Sequence, residues 1–265
     1  ATGTITLGAP APGSGAEIRI SSNQSAVNVP AVVHIPAGAT SASFVIGSTP
    51  VQQKLIATIT ATAGALAKSK TLTVNPAALA SVKLKQSSMM GGATQQGTVL
   101  LTGVAPSGGL SVVLSSTNPA IQVSREVFIP AGAASGVFSL QAAVVAIRSS
   151  GLMVAQLGTL KKSTSVSVNP PVISSVVASR TTVVGGDVID VTIRITGPAP
   201  AAGTRVMYTT GNVALTVPAT VVVPAGQTSV VFTASSRQIT KATTVKISGK
   251  VGITTKVGYV KLLPR

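Results

Sequence analysis

The sequence predicts an all-β protein built as three tandem β-sandwiches, the first of them lacking its N-terminal strand. Three observations lead there. The chain repeats itself every 94 residues, its apolar residues alternate in short runs between turn-forming residues, and no segment shows a helical crossover. Composition agrees, with 45% hydrophobic residues, 9% charged, 2% aromatic, 26 Gly and 16 Pro, alongside many Val, Thr and Ser. Such a mixture favours strands and tight turns.

The repeat is clearest at Ile35-Pro36-Ala37-Gly38, Ile129-Pro130-Ala131-Gly132 and Val223-Pro224-Ala225-Gly226, each 94 residues from the next. Phe44, Phe138 and Phe232 keep the same spacing, as do Pro12, Pro106 and Pro200, and Pro76, Pro170 and Pro264. These positions divide the chain into 1–76, 77–170 and 171–265. Short Asn-Pro or Leu-Pro junctions at 75–76, 169–170 and 263–264 leave little linker, and Pro stiffens them.

Within residues 77–170 the alternation predicts about seven strands. Their inward pairs are Val82 and Leu84, Val99 and Leu101, Val112 and Leu114, Val127 and Ile129, and Phe138 and Leu140. Met153, then Val166 and Val168, complete the set. The other repeats preserve it, with Ile5 and Ile193 for Val99, Ile20 and Tyr208 for Leu114, and Val74 and Leu262 for Val168. Exchange of shape with retention of hydrophobicity is what the space between two sheets tolerates. At each Pro-Ala-Gly, Pro is expected to preset the first turn position and Gly to take positive φ.

The segments at 97–123 (GTVLLTGVAPSGGLSVVLSSTNPAIQV), 128–140 (FIPAGAASGVFSL) and 163–170 (STSVSVNP) resemble the bacterial immunoglobulin-like, Big-type tandem repeats of secreted and cell-surface proteins. The resemblance covers essentially the whole chain. It implies an immunoglobulin-like fold, an extracellular or bacterial cell-surface location, and a spacer or adhesive role.

Residue 1 aligns with Gln95 and Ile189, so residues 1–76 contain no counterpart of Ala77–Thr94, the first strand and its Gly91-Gly92 turn. A sandwich without that strand exposes an apolar groove and an unpaired edge. Ile5, Leu7, Ile18, Ile20 and Phe44 are the expected strand-acceptor groove. Either residues 1–265 are a segment of a longer array whose upstream portion holds the absent strand, or a neighbouring molecule donates a strand there, which would build a head-to-tail polymer.

Chemistry-bearing residues are scarce, and no catalytic, cofactor-binding or metal site is expected. There is one histidine, His34, expected to be a half-exposed strand residue, and four carboxylates: Glu17, Glu126, Asp187 and Asp190. No catalytic set assembles within one repeat. The Asp187 and Asp190 pair reads as a solvated turn, because calcium demands six to eight oxygens. There is no cysteine for a disulfide or a thiolate site. The Pro12, Pro106 and Pro200 loops join strands, so they do not cradle phosphate at a helix N-terminus. Asn23-Gln24-Ser25 matches the short glycosylation pattern. No apolar run approaches the roughly 20 residues of a membrane-spanning helix.

Charge is the broad remaining signal. The formal net charge is +16, distributed as +3, +5 and +8 along the three repeats. Arg180, Arg194, Arg205, Arg237, Lys241, Lys246, Lys250, Lys256 and Lys261 make the third repeat the candidate binder of acidic surface polysaccharide, envelope or another polyanion. Sequence-specific nucleic-acid recognition is not expected, since aromatic stacking residues are few. Two functional expectations follow: a structural rod, stalk or filament module, and an adhesive module acting through basic repeat 3.

Overall fold

The computed structural model describes residues 1–265, and every regular element in it is a strand. The first sandwich comprises β1 (Thr2–Thr6), β2 (Ala16–Ser22), β3 (Val27–Asn28), β4 (Val32–Ile35), β5 (Ser41–Val45), β6 (Gly47–Ser48), β7 (Leu55–Ala63) and β8 (Leu66–Val74). The second comprises β9 (Leu79–Leu84), β10 (Ser88–Met90), β11 (Thr94–Leu101), β12 (Leu110–Ser116), β13 (Ile121–Val123), β14 (Glu126–Ile129), β15 (Ser135–Ala142), β16 (Ser149–Leu157) and β17 (Leu160–Asn169). The third comprises β18 (Ile173–Ala178), β19 (Thr182–Val184), β20 (Val188–Ile195), β21 (Thr204–Thr210), β22 (Leu215–Thr216), β23 (Thr220–Val223), β24 (Ser229–Ser236), β25 (Thr243–Val251) and β26 (Thr254–Leu263).

The second sandwich packs a five-stranded sheet, β10-β17-β16-β12-β14, on a four-stranded one, β13-β15-β11-β9, and the third repeats the arrangement. These are immunoglobulin-like sandwiches. Each complete repeat has nine strands rather than the seven expected. The two extra ones, β10 and β13 in the second repeat, are only three residues long, too short for a period of two to register. All the expected inward residues of the second repeat are buried except Leu84, which is half-buried.

The core is uneven along the chain. Nineteen buried apolar residues form one cluster in each of the second and third sandwiches, whereas the first has two separate groups of five and three. The cause is local. With no counterpart of β9 and β10, the sheet containing β1 is reduced to the pair β1-β5, and β3-β6 stands apart from it.

The Pro-Ala-Gly turns corrected one expectation. Ala39 N–H donates to Pro36 O at 3.0 Å, so Pro36 is the residue before the corner, and Ala37 and Gly38 are its two central residues. The same bond joins Ala133 to Pro130 and Gln227 to Pro224, each at 3.0 Å. Gly38, Gly132 and Gly226 have φ of 75°, 79° and 75°, the left-handed values that the second central position of this turn needs. A clamp holds the turn. Gly38 N–H donates to Ala11 O, Ala11 N–H donates to Ala39 O, and Ala105 and Ala199 form the same pair of bonds in their repeats. This explains why an alanine precedes Pro12, Pro106 and Pro200: its backbone is committed to the turn and its methyl is buried.

Two polar groups lie inside the cores. Asn118 is 1% exposed; its Nδ2 donates to Ser149 O at 3.1 Å and Val166 O at 3.4 Å, while its Oδ1 accepts from Ala120 N and Ser149 Oγ. A methyl on Gly151 would fall 2.6 Å from Asn118 N, so glycine there makes room for the buried asparagine. Ala57 and Val245 occupy the equivalent positions, facing Gln24 and Asn212. In the third core the Tyr208 ring packs 4.7 Å from Phe232, and its hydroxyl is buried with no hydrogen-bond partner. Burial raises that phenol well above its ordinary range.

Candidate functional site

The groove is built by the strands of the first sandwich. In the second, β9 lies antiparallel to β11 from Gly97 opposite Leu84 to Leu101 opposite Leu79, with a bulge near Leu101. In the third, β18 pairs with β20 in the corresponding register, from Ile173 opposite Ile195 to Ala178 opposite Val191. The matching positions in the first are Gly3–Leu7, and β1 has a partner on one side only, β5. Likewise β10 runs parallel to the end of β17, from Ser88 opposite Ser167 to Met90 opposite Asn169, while Thr73, Val74 and Asn75 have no such neighbour.

Beside these two edges is a groove of about 580 Å³. Ile5, Leu7, Ile18, Ile20 and Phe44 all line it. Phe44 is half-buried there, whereas Phe138 and Phe232 are buried. Ile46, Ile59, Ala61 and Leu72 also form its wall. They were legible through the repeat, because their counterparts Leu140, Met153, Ala155 and Val166 are core residues of the second sandwich. Lys68 and Lys70 stand at the β8 lip.

The nine candidate cations of the third repeat, Arg265 aside, are all exposed, but they do not share one face. Four do. Along β21, β25 and β26 the residues Val206, Tyr208, Val245, Ile247, Val260 and Leu262 point inward, so Arg205, Lys246, Lys250 and Lys261 point outward from the five-stranded sheet. Arg194 lies on the opposite outer face, on the same strand as Asp190. Arg180, Arg237 and Lys241 are on connecting loops, and Lys256 is near the β25-β26 hairpin. At the positions of the shared four, the second repeat has Ser111, Leu152, Gln156 and Ser167, and the first has Glu17, Thr58, Thr62 and Thr73.

No family model matches the chain, and no curated protein does. Among solved structures, invasin, a bacterial integrin-binding protein, aligns over 100% of this chain and 60% of its own, at 13% identity and a TM-score of 0.42. A crystal structure of titin domains aligns over 100% of this chain and 98% of its own, at 10% identity and a TM-score of 0.39. The Yersinia pseudotuberculosis adhesin InvE aligns over 69% and 60%, at 13% identity and 0.32. The fold assignment therefore rests on the sheets themselves.

The remaining candidates have structural places. His34 is exposed rather than half-exposed; its ring lies over Gly15, where a methyl would meet it at 2.5 Å, as Phe128 lies over Gly109 and Val222 over Gly203. Asp187 and Asp190 are exposed, Asp190 accepting from Thr233 Oγ1 at 3.1 Å, and nowhere do three His, Cys, Asp or Glu side chains gather. Asn23 Oδ1 accepts from Thr58 N at 2.7 Å, tying the β2-β3 loop to β7. No helix is long and apolar enough to cross a membrane.

Proposed function

We propose that the chain is a non-catalytic spacer, a rod or stalk of immunoglobulin-like units divided at 76/77 and 170/171, in a secreted or surface protein of a bacterium. One observation carries the reading. In each complete sandwich the entering segment runs parallel to the leaving strand, β10 beside β17 and β19 beside β26, so the chain enters at one pole and leaves at the other. Only residues 75–78 and 170–172 lie between consecutive sandwiches. Contacts across the junctions support end-to-end stacking: Gln52 Nε2 donates to Ser107 O at 3.0 Å, and Met90 packs on Gly197. The vacant edges at Gly3–Leu7 and Thr73–Asn75 support completion of the first unit by an added strand.

Small-angle scattering of the 265-residue chain tests this. Strands of nine or ten residues at about 3.3 Å per residue make three stacked units roughly 100 Å long, with a radius of gyration about 30 Å. A compact globule of this length would give about 18 Å. A value near the latter would overturn the rod.

The outer face bearing Arg205, Lys246, Lys250 and Lys261 supports a second reading, attachment to an acidic surface polymer. Retention on an immobilised acidic polysaccharide should fall steeply as salt rises, and a variant with Gln at 246, 250 and 261 should elute at lower salt. Elution unchanged by that triple substitution would remove this face from the adhesive reading.

A further inference from the structure

Resting on the adhesive reading above, we infer that its acidic polymer is a linear, uronate-containing polysaccharide, held along one diagonal line of cations on the third sandwich and reaching into the cleft between the second and third sandwiches. The strand register sets out the line. Lys261 lies opposite Thr244, two residues from Lys246 on β25; Lys250, four residues further along β25, lies opposite Met207, two residues from Arg205 on β21. With about 3.3 Å per residue and about 4.8 Å between strands, these cations follow one another at about 8, 13 and 8 Å and cross the sheet in a line about 28 Å long. The five strands of this sheet contain no carboxylate to neutralise them.

Tyr259 gives the line an element suited to sugars. It is the one exposed aromatic ring of the third sandwich, lies directly opposite Lys246 and precedes Lys261 by two residues on the same face. Such a ring can pack on the C–H face of a pyranose while the flanking ammonium groups meet its carboxylates. Val257 and Met207, also exposed on this face, extend the apolar floor. At the Tyr259 position the other sandwiches have Ser165 and Thr71.

The spacing of the cations selects the polymer. Phosphates follow one another every 3.4 Å or so along a DNA strand, about half the closest spacing here. A nucleic-acid single strand also stacks successive bases on aromatic rings, and this face offers one. A lipid surface is met by a broad basic patch rather than a line, and it cannot enter a cleft. A polysaccharide with one carboxylate in each two-sugar repeat carries charge as sparsely as the line does.

Arg205 ends the line at the junction cleft, a space of about 350 Å³ that it lines together with Ala146, Pro170, Pro171 and Ile253. Ile253, at the tip of the β25-β26 hairpin, is 99% exposed and offers an apolar wall to a sugar ring. The short side chain of Ala146 leaves the space open. Its counterpart at the preceding junction, Gln52, reaches across to Ser107 O at 3.0 Å, and the carbonyl matching that of Ser107 belongs to Ala201.

Fluorescently labelled hyaluronan, in which a uronate alternates with a neutral sugar, would be titrated into the 265-residue chain as a tetrasaccharide and as a decasaccharide, beside oligothymidylate and vesicles of anionic phospholipid. The decasaccharide, long enough to cover the face and the cleft together, should bind about tenfold tighter than the tetrasaccharide. Ala146→Gln and, separately, Ile253→Ser should cut that preference to about twofold, whereas Tyr259→Ala should weaken both lengths about fivefold. A length preference retained in Ile253→Ser, whose side chain is free of packing, would overturn the cleft whether or not Ala146→Gln folds, and would leave attachment through the face standing. Oligothymidylate or vesicles bound as tightly as the decasaccharide would overturn the polysaccharide as occupant while leaving an adhesive face. Binding of none of these polyanions would end the adhesive reading itself.

Discussion

Replacing Asn118 by Ala removes four side-chain hydrogen bonds from a site that water does not reach. Each is worth about 1 kcal/mol net, and the 3.4 Å bond to Val166 less, so the loss is about 3 kcal/mol. It includes the penalty for leaving Ala120 N–H and Ser149 O without that partner inside the fold. The equivalent Asn212 is half-buried and its side chain accepts one bond, from Ala214 N at 2.8 Å, so Asn212→Ala should cost about 1 kcal/mol. Sequence identity at the two positions hides this difference, which arises because Gly151 admits Asn118 where Val245 stands opposite Asn212.

For units of this size each kcal/mol moves the melting temperature by about 4–8 °C, which gives roughly 12–24 °C for Asn118→Ala and 4–8 °C for Asn212→Ala. Scanning calorimetry on the full chain is the assay. Its trace must be resolved into component transitions, because three sandwiches need not melt as one. Each substitution should move one component chiefly, and different ones. Equal shifts for the two variants, or a shift under about 5 °C for Asn118→Ala, would refute the view that this buried network anchors the second core.

Tyr208→Phe should stabilise the third sandwich by about 1 kcal/mol at neutral pH, because the hydroxyl it removes was desolvated without a partner. Above pH 10 the unfolded phenol loses its proton while the buried one keeps it, so native stability falls with rising pH by about 1.4 kcal/mol per unit. The Phe variant escapes that loss, and denaturant titrations at pH 8 and pH 11 should show its advantage growing; parallel behaviour at both would contradict the burial. Gly132→Ala meets no neighbouring atom, so its cost should be that of the left-handed backbone alone, about 1–2 kcal/mol, read from denaturant midpoints. A neutral result there would mean that the Pro130 turn can change type.

Much of this protein was determined by its sequence. The 94-residue spacing of the Pro-Ala-Gly turns and of Phe44, Phe138 and Phe232 defines repeated units, and the alternation of Val99, Leu101, Val112 and Leu114 defines buried strands, because a period of two permits one inward face. Comparing the repeats also showed that residues 1–76 hold no counterpart of Ala77–Thr94. Ile5, Leu7, Ile18, Ile20 and Phe44, which line the groove, were legible as equivalents of core positions in the other repeats.

What tertiary structure decided were matters of direction and distance between segments far apart in the chain. Strand alternation alone could not assign Arg205, Lys246, Lys250 and Lys261 to one outer face and Arg194 to the other, since that depends on which strands share a sheet. Nor could it reveal that Gly249 and Gly258 make room for β18, where a methyl would meet Ile173 and the Val176 carbonyl. A one-dimensional pattern records which side of a strand a residue occupies; how closely a neighbouring strand approaches depends on side chains contributed by several strands at once.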